Sequence, residues 1–110
     1  MKYTASTLNL KDDPEAIRKY IEYHRNIPKE QIDAMKTMGM KRLKIFLQGR
    51  RMFMFVETSD NYPERTPSPE EIQRGKDWQT LMHNFMEQLP GVDKDTWWVP
   101  MEEIFDLETA

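Results

Sequence analysis

The sequence predicts an α+β domain with a split βαβ order of elements. Two observations carry this. A loosely alternating segment at Lys2–Leu10 leads into two helical segments, and a hairpin turning at Gly49-Arg50 leads into a third. With a last strand around Met101–Leu107 the order is β-α-(α)-β-β-α-β, the ferredoxin-like arrangement. At 110 residues the chain is expected to form one domain, 1–110, a length that buries roughly two thirds of the unfolded surface.

The elements follow from local chemistry. Lys2–Leu10 carries Thr4, Ser6, Thr7 and Leu8, as a strand with one small polar face does. Asp13-Pro14 opens a helix, with Asp13 as N-cap and Pro14 at the first helical position. Ile17, Tyr20, Ile21 and His24 then fall at i, i+3, i+4 and i+7, the spacing of a core-facing stripe. Asn26-Ile27-Pro28 interrupts that helix, because proline disfavours helical geometry in the residue before it. A second helix is expected from Pro28 to Met38, with Ile32 and Met35 inward and Gly39 as a left-handed cap.

Leu43, Ile45 and Leu47 alternate with Lys44, Phe46 and Gln48, and Gly49-Arg50 supplies a tight turn into Met52–Glu57. This second arm is apolar on both sides until Glu57, as expected of a strand buried on both faces. Ser68-Pro69-Glu70-Glu71 is a capping box. The helix it opens has Trp78, Leu81, Met82, Phe85 and Leu89 on one stripe and is expected to end at Pro90-Gly91.

Composition narrows the function. A net charge of −3 and a pI near 5.4 give no footprint for nucleic acid or an anionic membrane. The longest apolar run is Met52–Val56, too short to span a bilayer. The chain has no cysteine, which removes disulfides and thiolate metal sites and fits a cytoplasmic protein. No His/Asp/Glu set has metal-ligand spacing, and neither a nucleophile elbow nor a glycine-rich phosphate loop is present. The residues thus suggest no metal and no cofactor.

Of the two histidines, His24 is the first candidate for proton transfer, because imidazole alone has an unperturbed pKa near neutrality. Its offset of four from Tyr20 puts phenol and imidazole on one helix face. Such a pair is more often core packing than a proton-exchanging contact, and the spacing leaves both open. Trp78, Trp97 and Trp98 can pack against the C–H faces of a sugar or simply fill core. Consecutive strand residues point to opposite faces, so one of Trp97 and Trp98 is expected to meet a ligand or a subunit. Glu57 ends an apolar strand, and Arg51 or Lys44 is its expected partner. His83 is expected near solvent, and Arg50-Arg51 as a solvated turn.

At this point the residues resemble a family. Asp12-Asp13-Pro14, Tyr20, Tyr23-His24-Arg25-Asn26, and Ile45-Phe46-Leu47-Gln48-Gly49-Arg50-Arg51-Met52-Phe53-Met54 with Glu57-Thr58 are similar to the L-rhamnose mutarotase family. So are Trp78-Gln79-Thr80-Leu81-Met82 and Trp98-Val99-Pro100-Met101-Glu102-Glu103-Ile104-Phe105. The likeness runs in matching order along nearly the whole chain. It departs from the family pattern at Pro28-Lys29-Glu30, at Leu43 and Phe46 where a strand tyrosine is usual, and at His83 where tryptophan is frequent.

The resemblance implies ferredoxin-like subunits paired as a dimeric α+β barrel, and an isomerase that interconverts the α and β anomers of L-rhamnose or L-fucose. It assigns His24 as proton donor and Tyr20 and Trp78 as sugar contacts, and Trp98, Phe46 and Glu57 stand as further candidate contacts. No cofactor is implied. The expected partners are a monosaccharide and a second copy of the chain. Two alternatives share the fold: a cofactor-free monooxygenase or other isomerase, favoured by the apolar Leu43 and Phe46, and a non-catalytic sugar-binding homologue.

Overall fold

The computed structural model describes residues 1–110. Its elements run β1 (Lys2–Leu10), α1 (Pro14–Arg25), α2 (Lys29–Met38), β2 (Met40–Gln48), β3 (Arg51–Thr58), α3 (Pro69–His83), β4 (Met86–Glu87) and β5 (Val99–Pro100). The antiparallel sheet is ordered β2-β3-β1-β4, with β5 also paired to β1. This is the strand order of the ferredoxin-like arrangement.

Register separates the two faces of the sheet. Leu8 lies opposite Met52, which in turn lies opposite Leu47, and Ile45 lies opposite Met54. These side chains share the inner face, where Leu8, Leu10 and Met52 pack with Tyr20 of α1, Met82 of α3 and Met86. Full burial of each such side chain contributes about 1.5–3 kcal/mol. The other face carries Tyr3, Phe46, Phe53, Phe55 and Glu57. Phe46 is 55% exposed there. The inner face of β3 is thus covered by helices while its outer face is not, contrary to the expectation of a strand buried on both sides.

The caps formed where the local chemistry directs them. Asp13 accepts the Glu15 N–H at 3.0 Å, and Pro14 begins α1. Gly39 ends α2 at φ +106°, and its N–H donates to the carbonyls of Met35 and Lys36. Ser68 and Glu71 complete the capping box of α3 in both directions.

Two boundaries differ from expectation. α3 stops at His83, not at Pro90, because Met86 leaves the helical stripe to pair with Leu10 as a strand residue. The last strand is Val99–Pro100, and Met101–Leu107 is irregular, held by the Met101 N–H to the Ala5 carbonyl at 2.9 Å and by Tyr3 to Glu103. β4 and β5 are therefore two pieces of one edge strand beside β1, and residues 88–98 leave the sheet between them. The Gln88 amide ties that excursion together by donating to the carbonyls of Lys94 (2.7 Å) and Thr96 (2.9 Å).

Candidate active site

Between the helices and the inner face of the sheet lies a cavity of about 820 Å3, within the range of small-molecule sites. Tyr20 and His24 of α1 and Trp78 of α3 line it, with Trp97 and Trp98 of the excursion between β4 and β5. A narrower cavity of about 460 Å3 lies between α1, α2 and β2, and Tyr20 and His24 line it as well. The pair therefore stands where the two spaces meet.

The helix itself fixes the imidazole. His24 Nδ1 lies 2.8 Å from the backbone carbonyl oxygen of Tyr20, one turn earlier. A carbonyl only accepts, so Nδ1 carries the proton of this bond and Nε2 is the nitrogen left for a ligand. The Tyr20 ring lies over the imidazole with centroids 4.2 Å apart. Trp78 meets it edge-on at 5.2 Å and also meets Tyr23 edge-on at 6.5 Å. Burial lowers the His24 pKa below its usual 6.5, opposed by a smaller upward pull from the Tyr20 carbonyl. Burial also raises the Tyr20 phenol, which stays protonated at any ordinary pH.

Three further aromatic residues line the wall. Trp97 and Trp98 both line the cavity, because the loop that carries them lacks strand alternation. His83 is half-buried in the same wall, stacked on Trp97 at 3.8 Å with an 8° interplanar angle. Polar groups also reach the cavity from Gln31, Arg74, Gln79 and Asp95. Sequence reasoning met Gln79 only as part of the Trp78–Met82 family motif, and it missed Gln31, Arg74 and Asp95, which no motif marks.

Phe46 and Glu57 stand apart from both cavities. Phe46 lies on the outer face of the edge strand β2, against Phe53 at 6.0 Å. Glu57 is directly opposite Arg42 and pairs with it at 3.7 Å. Arg51 lies six residues along the same strand, roughly 20 Å away, and instead donates to Asn9 at 2.7 Å. Arg50 pairs with Glu87 at 2.6 Å, so the hairpin turn is anchored and not merely solvated. No group of three or more His, Asp or Glu side chains is placed to hold a metal ion.

The comparisons with known proteins agree with this geometry. The L-rhamnose mutarotase family model matches residues 3–107. A UPF0734 protein of Dictyostelium discoideum is 33% identical over 119 residues, covering 97% of this chain and 90% of the relative. The crystal structure of an L-rhamnose mutarotase from Formosa agariphila superposes with a TM-score of 0.71 at 21% identity, covering 97% of this chain and 99% of the other, and so shares the fold. With a family match along almost its full length, the chain belongs to the L-rhamnose mutarotase family and is an isomerase of that carbohydrate-epimerising class.

Proposed function

We propose that the protein interconverts the α and β anomers of L-rhamnose, or of a related 6-deoxy-hexose such as L-fucose, with His24 exchanging protons with the sugar. The observation that carries this reading is the His24–Tyr20 hydrogen bond. It commits Nδ1 to the backbone and leaves Nε2 as a lone pair at the junction of two cavities.

The chemistry closes on that single nitrogen. Burial lowers the His24 pKa, so its neutral form predominates at pH 7. Nε2 takes the proton of the anomeric hydroxyl as the C1–O5 bond breaks and the C1=O1 double bond forms. The imidazolium then returns that proton to O5, giving the open-chain aldehyde. Rotation about C1–C2 presents the other carbonyl face, and the same steps in reverse close the ring as the other anomer. His24 is thus the proton donor to the ring oxygen after first acting as acceptor. One positioned group of this kind contributes about 10²–10⁴-fold. Tyr20 donates a hydrogen bond to the sugar, and the indoles of Trp78 and Trp98 offer surface to its C–H faces.

The homodimer belongs to the same proposal. Tyr3, Phe46, Phe53 and Phe55 form an outer sheet face without a covering helix, and a second copy supplies the cover. No helix is long and apolar enough to cross a membrane, and the cysteine-free composition suits a reducing compartment, so we place the protein in the cytoplasm.

Saturation-transfer NMR on the anomers of L-rhamnose, L-fucose and common hexoses tests the reading, with wild type and His24→Ala. Acceleration by wild type and its loss in His24→Ala is expected. No acceleration for any sugar sinks the proposal, and acceleration that survives His24→Ala removes the assigned role of that residue.

A further inference from the structure

His83 ends α3 on the wall of the larger cavity, and three observations set it apart from packing. One face of its ring is covered by the parallel indole of Trp97, which leaves the ring edges free. Neither ring nitrogen has a hydrogen-bond partner in the chain, since the one histidine ring so bonded is that of His24. Ser59 Oγ is the one buried side-chain polar atom without a partner, so both His83 nitrogens reach open space.

Position completes the argument. His83 lies five residues beyond Trp78 on α3, roughly 7.5 Å along the axis. Trp78 is the residue in edge contact with His24. His24 and His83 both line the larger cavity, so a sugar with its anomeric carbon at His24 shares one space with the His83 ring.

We propose that His83, held flat by Trp97, is a specificity-determining contact that bonds a ring hydroxyl remote from the anomeric carbon. The inference rests on the mutarotase reading above and names a further residue of the same site. A neutral imidazole offers one N–H donor and one lone pair, which matches a hydroxyl that both donates and accepts. Burial lowers the His83 pKa and so favours that neutral form. L-Rhamnose and L-fucose differ in configuration at C2 and C4, so a fixed contact at the far end of the ring separates them.

The test pairs kinetics with a readout independent of turnover. His83→Phe keeps the stack on Trp97 and removes both nitrogens, whereas His83→Gln keeps a donor and an acceptor. His83→Phe should raise KM for L-rhamnose about tenfold with kcat within about twofold, and narrow the preference between L-rhamnose and L-fucose. His83→Gln should recover most of the loss. In ¹H–¹⁵N spectra of imidazole-labelled protein, the His83 ring signals should move on addition of L-rhamnose in wild type and in His24→Ala. Unchanged KM in His83→Phe overturns the inference, because packing alone is satisfied by phenylalanine. So do His83 signals that stay still, and if acceleration is then seen the mutarotase reading survives. Moving His83 signals without acceleration of any sugar retain the contact and refute the catalytic reading instead.

Discussion

The pH dependence of mutarotation distinguishes a histidine that begins neutral from one that begins charged. The Nδ1 proton of His24 is committed to the Tyr20 carbonyl at 2.8 Å, and burial holds the pKa below 6.5. If the first step is proton acceptance at Nε2, kcat/KM must be flat on the alkaline side. On the acid side it falls about tenfold per pH unit once the pH drops below the His24 pKa, because only the neutral fraction is competent. The expected midpoint lies below 6.5, with no descending limb between pH 7 and 9. Tyr20 adds no limb there, since burial raises its phenol above the ordinary tyrosine range. The assay follows the polarimetric relaxation of freshly dissolved α-L-rhamnose from pH 5 to 9, with the uncatalysed rate subtracted at each pH. A rate that climbs as the pH falls through 6.5 would mean that imidazolium is the starting form, and would refute the sequence of proton steps. A midpoint above 6.5 would refute the claim that burial dominates over the carbonyl bond.

The remaining predictions concern the frame around the site. Gly75 sits within α3, and a Cβ there would meet nothing within 4 Å. Gly75→Ala should therefore stabilise the fold by about 0.5–1 kcal/mol, read as a rise of a few degrees in Tm, about 4 °C at most. Gly39→Ala should do the opposite and lower Tm. Its φ of +106° disfavours a side chain, and its Cβ would lie 2.6 Å from Ser59 Oγ. Met82 is 2% exposed in the core under Tyr20, so Met82→Ala should cost about 2–5 kcal/mol in urea unfolding. The Arg65 guanidinium, with the Ser68 N–H, holds the Glu71 carboxyl at about 2. Its stabilising contribution is present above the ordinary value of 4.5 and is lost as the pH falls towards 2, and Glu71→Gln should flatten that part of the acid-unfolding curve.

Strong local signals made most of the frame readable. Asp13-Pro14, the Ser68/Glu71 box and Gly39 each satisfy or terminate a helix by their own chemistry, whatever the tertiary surroundings. The fourth strand was not readable in the same way. Leu81, Phe85 and Leu89 continue a helical period past His83, and a two-residue strand carries no period of its own to oppose it. What ends the helix is long-range: Met86 is worth more in the core beside Leu10 than on a prolonged helix. The same loss of regularity explains Trp97 and Trp98, since alternation constrains only residues in a strand. The partner of Glu57 is not legible in the sequence, because cross-strand register, which puts Arg42 opposite it, depends on the turn and the bulge near Met40.

The two halves of the site are therefore supported differently. His24 takes its tautomer from a backbone carbonyl of its own helix, so no side-chain substitution elsewhere in the wall removes that bond. The surfaces facing it come from the end of α3 and from an excursion that interrupts an edge strand, held by Gln88 and by the stack of His83 on Trp97. Changes in those surfaces alter the shape and polarity of the cavity without altering the His24 nitrogen to which proton exchange is assigned above. On the proposed reading, the proton chemistry is thus separable from the choice of sugar. On that reading the place to alter the sugar is the wall built from His83, Trp97 and Trp98, and not the backbone-anchored imidazole of His24.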